Sequence, residues 1–202
     1  MTGPDRPATP QPVERQLWLV RHGSTEWAET GRHTGRTDIP LNETGREQAT
    51  VLGERLRGHA FAMILSSPLS RAAETAQLAG FGDAVTIDDD LREWDYGDVE
   101  GMRTDEIRER HPGWTIWRGP WSGGEAIGDV AGRADRVLAR VRAVDGDVLV
   151  FSHGHLLRVL AARWLGLDPT AGSMLALSTA TISLLGWERE APVIERWNEA
   201  CA

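Results

Sequence analysis

The chain contains no lysine: all 22 residues counted as lysine plus arginine are arginine. A GC-rich coding sequence would produce that absence by itself, yet it still removes whole chemistries. A P-loop needs a lysine for its phosphates, and Schiff-base and pyridoxal-phosphate enzymes need an amine for the covalent link. Cysteine is nearly absent as well. The single cysteine, Cys201, is the penultimate residue, which excludes an internal disulfide and a cysteine-rich zinc site and fits a reducing cytoplasm. No apolar run approaches the ~18 residues of a membrane span, and no charged-then-apolar leader opens the chain, so neither a membrane helix nor a signal peptide is expected. Positive charge is in deficit too. A formal charge of −8 and a pI near 5.3 argue against a nucleic-acid surface, although an acidic chain can still concentrate its few cations around an anion.

What remains is enough for one domain: 202 residues, of which 41% are hydrophobic. Residues 1–12 are rich in proline and polar side chains and read as a disordered tail, leaving 13–202 as a single domain. Short apolar runs then alternate with helical patterns. Strands are expected at Gln16–Val20, Ala62–Ser66, Val148–Phe151, Leu175–Leu177, Thr181–Trp187 and Val193–Trp197. Helices are expected over about Glu43–Arg57 (capped by Asn42), Leu69–Leu78, Thr104–Arg110, Leu156–Leu165 and the stretch bearing Val130, Ala134, Val137, Leu138 and Val141. That alternation implies a three-layer α/β sandwich around a mostly parallel sheet, with any ligand outside the carboxyl ends of the strands.

Two strands end alike. LWLV runs into Arg21-His22-Gly23, and VLVF runs into Ser152-His153-Gly154-His155. If the strands are parallel neighbours, both histidines emerge at one sheet edge, and each following glycine would let a ligand approach the backbone. A lone histidine after a strand is more often structural; a matched pair is not so easily dismissed. Between them, SSPLSRAAETA places Arg71 early in a helix that follows a third strand. Arg71 could be a solvated helix arginine paired with Glu74. Set beside Arg21 and a helix N-terminus, it would instead help form a cradle for phosphate oxygens. LREWDYG supplies Glu93 beside Trp94, where burial would favour a protonated carboxyl. Asp95 and Asp98 read as turn-shaping carboxylates. His153 and His155 lack a third ligand of suitable spacing for a metal, and no G-x-S-x-G elbow surrounds Ser152.

RHG, GRHTG, SSPLSRAAETA, LREWDYGDVEG and FSHGHLLR stand in an order that resembles the histidine phosphatase superfamily, the phosphoglycerate mutase-like group, from about Leu17 to at least Leu165. The resemblance implies that His22 is a nucleophile carrying a phosphohistidine. It implies that Arg21, Arg71 and His153 hold the phosphoryl oxygens, with His153 serving best as a cation, and that Glu93 is the proton donor. Thr34 and the Gly154 N–H would be secondary contacts. No cofactor and no metal are implied.

The EWDYG and HGH stretches are especially similar to sugar-phosphate phosphatases such as fungal sedoheptulose-1,7-bisphosphatases, and to actinobacterial acid phosphatases. Only 60 positions separate Glu93 from His153, and Ala28 stands where the mutases carry asparagine. Both departures favour hydrolysis over phosphoglycerate mutase-type transfer, and the complete catalytic set disfavours a non-catalytic phospho-ligand-binding protein. Trp114, Trp117 and Trp121 would either pack an irregular loop or wall the substrate, with Trp117, Arg118 and His155 as further substrate contacts. Ala126 follows Gly124-Glu125 where many relatives have serine. The expected partner is a small phosphorylated metabolite, with no nucleic acid and no membrane; the sequence leaves open a second copy of the chain as a homodimer.

Overall fold

The computed structural model describes residues 15–119 and 122–201; the expected tail at 1–12 and Trp121 lie outside the described residues. Strands β1 (Leu17–Arg21), β2 (Met63–Ser66), β3 (Thr86–Ile87), β4 (Val148–Ser152), β5 (Thr181–Glu188) and β6 (Ala191–Ala200) form one sheet in the order β3-β2-β4-β1-β5-β6. The β3–β2, β2–β4 and β4–β1 pairings are parallel, and β1–β5 and β5–β6 are antiparallel. The helices are α1 (Glu26–Glu29), α2 (Glu43–Leu56), α3 (Ser70–Ala76), α4 (Thr104–Arg110), α5 (Ile127–Arg142) and α6 (Gly154–Trp164).

The two-residue period of the strands divides the core. Leu17, Leu19, Leu65, Val148, Val150 and Leu185 face α5 and α6, where they meet Val130, Ala134, Val137, Leu138, Leu157 and Leu160. Val20, Ile64, Leu149, Phe151, Ile182 and Leu184 face the other way, against Leu52 and Leu56 of α2 and Ala76 of α3. Central strands that are buried on both faces read as continuous apolar runs, which is why LWLV and VLVF carry no alternation. The three-layer expectation holds.

Differences from the expected elements have local causes. Leu175–Leu177 is not a strand: it follows a 3₁₀ turn at Pro169–Met174, and its carbonyls are taken by side chains, Leu177 O by Arg21 and Ala176 O by Trp197. β3 escapes the pattern because both of its residues are exposed. α1 is a single turn, started by the Thr25 hydroxyl accepting the Ala28 N–H. The helix expected at Leu156 begins at Gly154, because Glu93 takes two of its first N–H groups. The helix expected to run to Leu78 passes at Gln77 into a π turn containing Gly80 at φ 90°.

At the start of α5, the cap position is Ala126, and only half of a capping box forms: Asp129 Oδ2 accepts the Ala126 N–H at 2.9 Å, with no side-chain oxygen to return the bond. Ala126→Ser supplies that oxygen. It is expected to stabilise the fold by ~1 kcal/mol and to raise the thermal midpoint by a few degrees. A lower or unchanged midpoint would show that this helix start has no need of a cap.

Candidate active site

The β1–β4 register sets Arg21 opposite Ser152, and the His22 N–H continues the ladder to Ser152 O at 3.0 Å. On the other side of β4, the Ser67 N–H bonds Phe151 O at 3.0 Å. His22, His153 and Ser67 therefore leave the sheet side by side, and the two imidazole centroids lie 5.2 Å apart.

His22 is buried, and its Nδ1 lies 2.7 Å from Gly23 O. A carbonyl only accepts, so Nδ1 carries the hydrogen and the lone pair of the neutral ring is on Nε2. Burial, with Arg21 and Arg71 alongside, holds this imidazole well below its usual range. It is neutral, and it is oriented. Gly23 has a different reason from the one expected: a Cβ there would stand 2.3 Å from Gly45 O, so the glycine admits the start of α2 rather than a ligand. The Gly23 N–H in turn donates to the Thr75 hydroxyl of α3, which itself donates to Arg71 O.

His153 is neutral as well, which corrects the expected cation. Its Nε2 lies 2.7 Å from Ser67 Oγ, and its Nδ1 accepts from Arg71 Nε at 3.2 Å. Because arginine cannot accept, Nδ1 must be the bare nitrogen. Burial and then Arg71 hold this ring well below its usual range. Arg71 itself has no exposed surface, and it donates to Thr37 O, Thr34 O and Gly35 O at 3.0 Å each. It is far from a solvated helix arginine.

Arg21 donates through Nη1 to Leu177 O at 2.6 Å, while its buried Nε has no partner among the described residues. A Cβ on Gly154 would lie 3.3 Å from Arg21 Cζ, so this glycine lets the guanidinium rest on the first turn of α6.

Glu93 closes the cluster. It is buried as expected, but its carboxylate is wrapped in backbone donors: the Trp94 and Leu156 N–H groups reach Oε1 at 2.9 Å each, and the His155 N–H reaches Oε2 at 3.0 Å. Oε2, with the single donor, has room for a proton. Arg133 of α5 braces this segment, bonding the Asp90, Arg92 and Glu93 carbonyls and pairing with Glu125 at 2.7 Å. Glu125 accepts the Asp95 N–H in turn. Asp95 and Asp98 shape turns as expected, accepting from the Gly97 N–H and the Ser122 hydroxyl.

The proposed substrate contacts are divided. The His155 ring sits 4.0 Å from Glu93 Oε2, bonds Tyr96 Oη at 2.6 Å and touches the ring of half-buried Trp117. Arg158 stacks over Trp117 at 4.6 Å. Thr34 gives its carbonyl to Arg71, and its hydroxyl turns back to Arg32 O. Trp114 is buried against His33. Arg118 is exposed on the turn that bonds its N–H to Thr115 O. Ser67, Thr75, Arg133 and Arg158 escaped the sequence reading; a lone hydroxyl or one helix arginine among many carries no local signal. Among the described residues, no group of three or more His, Cys, Asp or Glu is placed to hold a metal, and no helix is long and apolar enough to cross a membrane.

Known proteins resemble the chain in sequence and in fold. The chain is 40% identical over 180 residues to an acid phosphatase of Mycobacterium tuberculosis, covering 86% of this chain and 87% of that one. It is 38% identical over 181 residues to the sedoheptulose 1,7-bisphosphatase of Saccharomyces cerevisiae, covering 74% and 67%. The solved structure of a mycobacterial glucosyl-3-phosphoglycerate phosphatase in complex with VO3 superposes with a TM-score of 0.81 at 31% identity, over 92% of this chain and 99% of that one. The profile of the histidine phosphatase superfamily (branch 1) matches residues 17–200, and the chain belongs to that family.

Proposed function

We propose that the protein is a metal-independent phosphomonoesterase that works through a phosphohistidine at His22 on a small phosphorylated metabolite, a sugar phosphate in the first instance. The observation that carries this is the state of His22. It is a neutral ring with its hydrogen fixed on Nδ1 and its lone pair on Nε2, next to Arg21, whose buried Nε has no partner among the described residues. A bare, oriented ring nitrogen beside cationic donors supports this reading, because phosphoryl transfer relies on positioning and charge.

In the first step, Nε2 of His22 bonds to phosphorus as the ester oxygen leaves. Arg21, with Arg71 and the Gly154 N–H, neutralises the spreading charge. Glu93, protonated at Oε2, gives its proton to the leaving alkoxide. In the second step, the same carboxylate takes a proton from water, which attacks phosphorus and frees His22. His153 enters as a neutral ring that fixes Arg71 rather than as a third cation. The aromatic surface of Trp117 and His155 beside Glu93 suits the organic part of a sugar phosphate, and the named activities of the phosphatase relatives point the same way. The short span from Glu93 to His153 supports hydrolysis over mutase transfer.

Phosphate release from sugar mono- and bisphosphates, 3-phosphoglycerate and an aryl phosphate, in excess chelator, tests the proposal. Turnover is expected to survive the chelator, to fall at least ~10³-fold in His22→Ala, and to fall ~10²–10⁴-fold in Glu93→Gln on poor leaving groups. Turnover that needs a metal, or that persists in His22→Ala, would overturn it.

The histidines also set a pH dependence of stability. His22, His153 and His155 are held well below the ordinary value by burial, and His33 is lowered to about 4. The unfolded chain, titrating near ~6.5, therefore takes up protons first as pH falls. Stability is full above that value and declines below it, by up to ~1.4 kcal/mol per pH unit for each histidine until its folded value is reached. The urea midpoint is expected to drop markedly from pH 7.5 to pH 5.5; a level or rising midpoint would contradict these assignments.

A further inference from the structure

The loop that receives Arg71 is held from two sides. Arg71 takes its carbonyls, at Thr34, Gly35 and Thr37. Its N–H groups go to Glu100, whose Oε1 accepts from Gly35 at 2.8 Å and from Thr37 at 3.1 Å. The segment has no helix or sheet ladder of its own. A cation on one side and an anion on the other are what fix its path.

Glu100 reaches the loop because the chain around it is zipped to the loop's leading strand. The Gly101 N–H bonds His33 O at 2.8 Å, the His33 N–H bonds Met102 O at 3.0 Å, and Arg32 and Arg103 form a bridge. The fit is close: a Cβ on Gly35 would stand 2.6 Å from Glu100 Oε2 and 2.5 Å from Trp94 O, so only glycine lets the carboxylate lie on the backbone. Oε2 is buried with no hydrogen-bond partner among the described residues. A buried carboxylate oxygen left unpaired is costly, and a fold selected for stability alone gains nothing from it.

We infer that Glu100 is a positioning residue for Arg71, acting through residues 34–37, and that it thereby sets the protein's affinity for a phosphoryl group. One of Arg71's carbonyls, Thr34 O, shares a peptide plane with the Gly35 N–H that Glu100 holds, and the other two, Gly35 O and Thr37 O, belong to residues whose own N–H groups Glu100 accepts. When the loop shifts, the guanidinium loses its frame, and a displacement of ~1 Å at a group that holds the reacting phosphoryl can cost ~10²-fold. The inference rests on reading Arg71 as a phosphoryl contact.

A double-mutant cycle separates this role from that of a simple staple. The dissociation constant of inorganic phosphate is measured by calorimetry for wild type, Glu100→Ala, Arg71→Gln and the double variant, with kcat and KM on an aryl phosphate and a thermal midpoint for each. Glu100→Ala is expected to weaken phosphate ~10-fold and to lower kcat/KM ~10–100-fold, while adding less than ~2-fold to the loss in Arg71→Gln. Glu100→Gln, which keeps the acceptor at Oε1, is expected to return to within ~3-fold of wild type. Should Glu100→Ala fail to fold, Glu100→Asp, too short to serve both N–H groups, takes its place. Additive losses, or unchanged phosphate affinity in the folded variant, would overturn the inference. A wild type that binds phosphate without hydrolysing the ester would sink the hydrolase reading instead, and the phosphate cycle would still judge Glu100.

Discussion

Everything in this site hangs from the parallel pairing of β1 with β4. The ladder sets Arg21 opposite Ser152 and carries on through the His22 N–H. A slip of one residue would turn one strand over against the other, putting either Leu19 or Val150 among the α2 side chains and the two histidines on opposite faces. The register cannot slip, because each strand is buried on both faces in a packed core. The rigidity the chemistry needs is thus supplied by hydrophobic packing some distance from it.

Around that edge the protein has buried two guanidiniums and two imidazoles. Arginine keeps its proton under such conditions and histidine does not, so the conflict is resolved by neutral rings. This decides the roles. His22 keeps Nε2 bare, the state that the proposed nucleophile needs. His153 becomes an acceptor that aims Arg71. The acceptors are supplied by Glu93, whose oxygens take the first N–H groups of α6, and by Glu100 beneath the loop. One helix start thus serves both the carboxylate and, through Gly154, the guanidinium of Arg21.

Much of this was legible in the sequence, for a physical reason. A central strand that is buried on both faces and stops at a polar dipeptide advertises both itself and its cargo, and LWLVRHG and VLVFSHG do so. The arrival of Arg71, Glu93 and His153 at one edge followed from the α/β alternation and from the ordered motifs. The state of His153 was not legible, because it depends on which partners occupy its two nitrogens, and one of them, Ser67, is a hydroxyl 86 positions away. The reasons for Gly23 and Gly154 were also hidden. Both glycines make room for protein, one for the α2 backbone and one for Arg21. Arg133 was invisible in a helix that carries several arginines. Leu175–Leu177 misled because an apolar triplet reads as a strand whether or not its carbonyls find a ladder.

In the proposed reaction Nε2 of His22 carries the phosphoryl group, since Nδ1 is committed to Gly23 O. Enzyme turning over a phosphate ester at saturation should be quenched in alkaline denaturant, where phosphohistidine survives, and examined by phosphorus NMR with peptide mapping. A single phosphohistidine is expected, at His22, bonded through Nε2. Phosphorus on Nδ1, on another residue, or on none during steady turnover would contradict it.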